Sequence, residues 1–126
     1  MKVMHIVDSA YRATVEEQDD TTLWLTQVIA GAGAQVELLL RGNAVNYAVR
    51  GQRVEGLAIG AWRQTQPPRI ERDIAALLAR GVPVLALAED LAQRGLKADA
   101  LVAGVEPLRF GDLPARMQAC ARVWHW

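Results

Sequence analysis

The stretch Gly81–Leu96, GVPVLALAEDLAQRGL, limits the possible folds more than any other part of the chain. Val82–Ala88 is apolar without polar alternation, the pattern of a strand covered on both faces. Gly81 closes the helix before it, and Gly95 closes the short helix after it. A strand that runs straight into a helix is the unit of an open α/β sheet, where ligands gather at the junction. Here that junction is Leu87, Ala88, Glu89 and Asp90, two acids and no nucleophile.

The order of helix, glycine and apolar strand recurs along the chain. Lys2–Asp8 (KVMHIVD) reads as a central strand, followed by a polar loop over Ala13–Asp20. That loop is longer than the about 2–6 residues usual between strand and helix, which marks it as a candidate functional segment. Asp19 or Asp20 caps a helix over Thr21–Ala30, which Gly31 and Gly33 end before the strand Gln35–Leu40. Asn43 is the expected cap of a short helix, Ala44–Arg50, and Leu57–Trp62 reads as a short strand weakened by Gly60. The spacing of Ile70, Ile74, Leu77 and Leu78 predicts a helix over Arg69–Arg80. Ala98–Ala103 reads as a strand or an extension of the preceding turn, and Gly104–Phe110 as irregular. Asp112 then caps a helix with Pro114 in its first turn, and Arg122–Trp126 forms a last strand. This alternation predicts a single α/β domain over residues 1–126, a three-layer α/β/α sandwich on a largely parallel sheet.

Composition narrows the function classes. The 14 Lys and Arg balance the 14 Asp and Glu, so the net charge is zero and no nucleic-acid partner is expected. No run approaches the about 18 apolar residues of a membrane span. The N-terminus has no secretory pattern, so a cytoplasmic protein is expected. Cys120 is the single cysteine, which excludes an internal disulfide.

The candidate chemistry is sparse. Gly31-Ala32-Gly33 follows a helix, the wrong end for a phosphate-binding glycine loop. His5 and His125 lack ligand spacing, so neither a metal nor a cofactor is expected. Cys120 falls late in its helix on the face of Leu113 and Met117, where it reads as a small buried hydrophobe and only a weak catalytic candidate. Glu89 and Asp90 read either as an acid/base pair or as first-turn acids that complement a helix dipole. Asp8, Ser9, Tyr11 and Arg12 follow the first strand, Asn43 the second and Trp62 a possible third. With Glu89 and Asp90 they are the candidate ligand-binding residues of one crevice above the strand ends, or else turn, capping and packing residues.

The opening KVMHIVDSA, the segment IAGAGAQVELLL, the turn RGNAV and above all ALLARGVPVLALAEDLAQRGL resemble the DsrE/DsrF-like family of small sulfur-relay proteins. The resemblance covers nearly the whole chain. It implies a compact α/β/α fold with a largely parallel five-stranded sheet, and assembly into a homo-oligomer, a trimer or hexamer. It also implies intracellular sulfur trafficking, with other sulfur-relay proteins as partners. Sulfur-carrying members place a cysteine near the end of the strand that corresponds to Val82–Ala88. That position falls at Leu87 here, and Cys120 matches no carrier position. The resemblance with this departure implies a non-catalytic or accessory subunit that binds a partner or small ligand. The alternatives are an active sulfurtransferase using Cys120, and a small-molecule or nucleotide-binding module unrelated to sulfur.

Overall fold

The computed structural model describes residues 1–11 and 20–126. Arg12 and most of the polar loop expected after the first strand, including Glu16, Glu17 and Asp19, lie outside the described residues.

Five strands form one sheet: β1 (Lys2–Val7), β2 (Gln35–Leu40), β5 (Val84–Leu87), β6 (Glu106–Leu108) and β7 (Arg122–His125), in the order β6-β5-β2-β1-β7. Every pairing in it is parallel, with Met4 opposite Glu37, Leu39 opposite Leu85 and Ile6 opposite His125. Strand alternation sorts the side chains onto two faces. Val7, Val36, Leu38, Leu40, Val84 and Ala86 face a large cluster. It is completed by Leu23 of α1 (Thr21–Gly31), Ile70, Ile74 and Leu77 of α2 (Ile70–Ala79), and Leu91 of α3 (Ala88–Gln93). Met4, Ile6, Leu39, Leu85 and Leu87 face the other way, under Leu113 of α4 (Leu113–Gln118). The result is the expected three-layer α/β/α arrangement on a parallel five-stranded sheet.

The stripe on α2 buries Ile70, Ile74 and Leu77 as its periodicity requires. Asp20 caps α1 by accepting from the Thr22 and Leu23 amides at 2.8 and 3.2 Å. Three segments differ from the sequence expectation. The run Leu57–Trp62 does not join the sheet. It makes a separate antiparallel hairpin, β3 (Ala58–Ile59) with β4 (Trp62–Arg63), because Gly60 takes φ +59 and reverses the chain. The fifth strand is instead β6, inside the stretch expected to be irregular; Pro107 is tolerated there because β6 is an edge. The expected short helix Ala44–Arg50 is a 3-10 helix over Gly42–Ala48, with Arg41 and not Asn43 at its N-cap.

Candidate functional site

The carboxyl ends of β1, β2, β5 and β7 meet in one rim of polar groups. Asp8 leaves β1 there and is held from two sides. Arg41, just past β2, pairs with it at 3.1 Å, and His125, the last residue of β7, contacts its other oxygen through Nε2. Parallel register is the cause: Val7 lies opposite Leu40 and Ile6 opposite His125, so the residues after these pairs converge. The backbone makes a second link, because the Ala44 amide donates to the Asp8 carbonyl at 3.1 Å. Gly42 has φ +55, and a Cβ there would stand 3.2 Å from that carbonyl oxygen. Glycine is therefore what lets the 3-10 helix approach β1 this closely.

The two acids of the central junction are both engaged. The Gly42 amide donates to Asp90 Oδ2 at 2.6 Å, and the Phe110 amide donates to Glu89 Oε2 at 2.9 Å. They point to different partners, as neighbours on a helix must, and no proton-sharing carboxyl pair forms. Arg94 donates to Asn43 Oδ1 at 2.8 Å, so Asn43 ties the 3-10 helix to the end of α3. Leu87 occupies the N-cap of α3, buried in the lower cluster. It offers no polar atom where a nucleophile at this junction would stand.

Of the other candidates, Ser9 is exposed beside Asp8. Tyr11 has φ +58, the left-handed region that a non-glycine residue seldom occupies. Its hydroxyl donates to Gln52, its amide donates to the Tyr47 hydroxyl, and burial pushes its phenol pKa up. The Tyr47 hydroxyl in turn donates to Asp20 Oδ2 at 2.7 Å. Tyr11 also lines a cavity of about 160 Å3 with Val54, Leu57 and Gln64. Trp62 lies on the hairpin, outside the five-stranded sheet, and does not follow a third strand of it. The structure therefore joins Asp8, Asn43 and Asp90 around Gly42, places Tyr11 at the flank, and puts Trp62 on a separate element.

Two groups in the rim were not singled out from the sequence. Arg41 and His125 belong to it as firmly as Asp8 does. The available signal was the alternation Trp124-His125-Trp126, which sends the histidine to the face opposite the tryptophans.

The thiol stands elsewhere, toward the amino ends of the strands. Cys120 is partly exposed, just past the end of α4, and not fully buried within it as the sequence suggested. It donates to Glu37 Oε1 at 3.3 Å. Glu37 is fully buried on β2 and also receives Lys2 Nζ at 2.8 Å and the Arg116 guanidinium at 3.0 Å. Burial alone would push the Glu37 carboxyl up, but the hydrogen bonds from Arg116, Lys2 and Cys120 outweigh it and hold the carboxyl below its ordinary range. Burial and the neighbouring Glu37 carboxylate both push the Cys120 thiol up, against weaker pulls from Lys2 and Arg116. The thiol is thus kept protonated as a donor, the unreactive form. Among the described residues no group of three His, Cys, Asp or Glu side chains is placed to hold a metal ion.

A parallel five-stranded sheet between helix layers, with its polar rim at the strand carboxyl ends, defines the structural class. No family model matches the chain, and no curated protein matches it in sequence. Solved structures do match. The ychN protein from E. coli superposes with a TM-score of 0.75 at 20% identity, over 99% of this chain and 98% of that one. MTH1491 from Methanobacterium thermoautotrophicum, a protein of unknown function, superposes with a TM-score of 0.68 at 16% identity, over 98% and 97% of the two chains. At these identities the likeness establishes the fold, which is the fold the DsrE/DsrF-like resemblance implies.

Proposed function

We propose that this protein is an accessory, non-carrier subunit of intracellular sulfur trafficking that acts by binding a partner protein or a small ligand. One observation supports the reading above the others. At the β5–α3 junction, where the DsrE/DsrF-like pattern sets a carrier cysteine, a buried Leu87 stands just before Glu89 and Asp90, whose carboxylates already accept from backbone amides. A sulfur carrier needs a thiolate that partners can reach. This chain has one thiol, turned toward a buried carboxylate at the other end of the sheet.

The surface that acts on this reading is the rim of Asp8, Ser9, Tyr11, Asn43, Glu89 and Asp90, with Arg41 and His125 added. Its half-exposed Asp8–Arg41–His125 contact suits recognition of a polar group, because charged and polar groups from three strand ends meet there at the surface. The protein works in the cytoplasm as a homo-oligomer, a trimer or hexamer by analogy with the family pattern. The test is replacement of the chromosomal gene by one encoding Cys120→Ser. An accessory subunit supports sulfur-dependent growth or tRNA thiolation as well as the wild type does. Loss of that phenotype, with the variant present at normal abundance, excludes the accessory role and favours a sulfurtransferase using Cys120.

A further inference from the structure

The helices α1 and α2 both precede a strand of the parallel sheet, so both begin toward the strand carboxyl ends. Their first turns and the connector before α2 enclose a cleft of about 330 Å3, within the about 300–1,000 Å3 common for small-ligand sites. Trp24 and Gln27 line it from one face of α1, being three residues apart. Gln66 lines it from the connector, and Arg69 and Arg72, one turn apart, line it from the start of α2 with Asp73 at their side. Arg69 and Arg72 also border an adjoining cavity of about 630 Å3, together with Arg53.

Arg69, Arg72 and Trp24 differ from their counterparts elsewhere in the fold. Arg41, Arg109 and Arg116 are each paired with a carboxylate. Among the described residues neither Arg69 nor Arg72 has such a pair. Trp124 and Trp126 pack their rings against His5 and against each other, whereas Trp24 is 52% exposed and has no ring partner among the described residues. An indole face, two guanidinium groups and two carboxamides in one cleft match a flat heteroaromatic ring that carries a phosphate. The ring stacks on the indole, the phosphate takes the guanidinium forks, and the amides meet the ring's donors and acceptors.

We propose that this cleft binds a nucleoside phosphate. The site is separate from the rim, and the proposal stands or falls independently of any sulfur-related role. The experiment is titration of the whole protein with AMP, adenosine and inorganic phosphate, read by calorimetry and by the shift of each tryptophan indole N–H in NMR spectra. AMP is expected to bind with a dissociation constant of about 1 mM or tighter. It should shift the Trp24 signal and leave those of Trp124 and Trp126 in place. Adenosine and phosphate alone should each bind at least about tenfold more weakly than AMP, because each uses half of the site. Trp24→Ala and the double variant Arg69→Gln/Arg72→Gln should each weaken AMP by about tenfold or more, with Arg63→Gln as an unaffected control. No binding at about 10 mM AMP, equal binding of adenosine and AMP, or a Trp24 signal that stays still would each overturn the proposal. The indole readout is made on the unaltered protein, so it decides the matter even if a variant is unstable.

Discussion

Two of the buried ionisable residues, His5 and Glu37, have depressed pKa values that bear on how this protein responds to acid. His5 is fully buried on β1. The Thr26 hydroxyl donates to the Thr22 carbonyl, so its oxygen receives the His5 Nδ1 hydrogen at 2.8 Å. Nε2 then carries no hydrogen, and it is buried without a partner among the described residues, beside Trp124 and Trp126. Burial accordingly lowers the His5 pKa from its ordinary 6.5. A depressed histidine pKa means that the unfolded chain takes up a proton before the folded one does. Stability is therefore lost as pH falls below about 6.5 and until the folded pKa is reached. Urea midpoints should decline from about pH 7.5 to about pH 5, and His5→Gln should flatten that decline while lowering the midpoint at neutral pH. Glu37, whose pKa is also depressed, adds a second loss below its ordinary 4.5, as protonation breaks its contacts with Lys2 and Arg116. An unchanged slope in His5→Gln would show that another group titrates. The sequence places His5 inside the strand Lys2–Asp8, and the structure buries it there. The sequence did not mark Glu37, because QVELLL reads as a strand whether the glutamate faces water or the interior. Only the packing of α4 under β2 decides that.

At the scale of elements, legibility followed periodicity. The α2 stripe and the unalternating β5 run have several residues that agree with one another, and both elements formed where those residues place them. Short apolar runs carry no such redundancy. Leu57–Trp62 and the segment around Pro107 were assigned by composition, and their roles were exchanged: the first became a hairpin off the sheet and the second its edge. Of the rim, the sequence held Asp8, Asn43 and Asp90. The alternation at Trp124-His125-Trp126 gave the face of His125, but its meeting with Asp8 and Arg41 depends on strand order. The cap of α1 is the element with the most concentrated support. Asp20 is 1% exposed and accepts from two first-turn amides and the Tyr47 hydroxyl. Replacing a cap residue by alanine costs about 1 kcal/mol, and losing the hydrogen bond from the buried Tyr47 hydroxyl adds about 1–2 kcal/mol. Asp20→Ala should thus lower unfolding free energy by about 2–3 kcal/mol in denaturant titration. Asp20→Asn, which keeps an acceptor, should lose less than half of that; equal losses would contradict the capping account.

The whole molecule leaves surface that its own fold does not cover. Among the described residues β7 is an edge of the sheet, and Trp124 on it and Trp126 just past it are 40% and 43% exposed. Edge strands are where sheets associate, and this one exposes aromatic surface beside Arg122 and His125. Light scattering at micromolar concentration should give the mass of a trimer or hexamer, and charged replacements at Trp124 and Trp126 should reduce it; a monomeric mass for the unaltered chain would count against the assembly. Among the described residues no helix is long and apolar enough to cross a membrane. The fold itself is compatible with many activities, so the proposed role rests on chemistry at one junction and on one thiol. Incubating the purified protein with polysulfide, or with a persulfidated donor protein, and recording its intact mass tests that chemistry most directly. The account predicts no sulfur adduct under conditions that load a cysteine-bearing protein of the same fold, because Leu87 cannot ionise and Cys120 is held as a thiol by Glu37. A stoichiometric gain of one sulfur on Cys120, reversed by reductant, would contradict it.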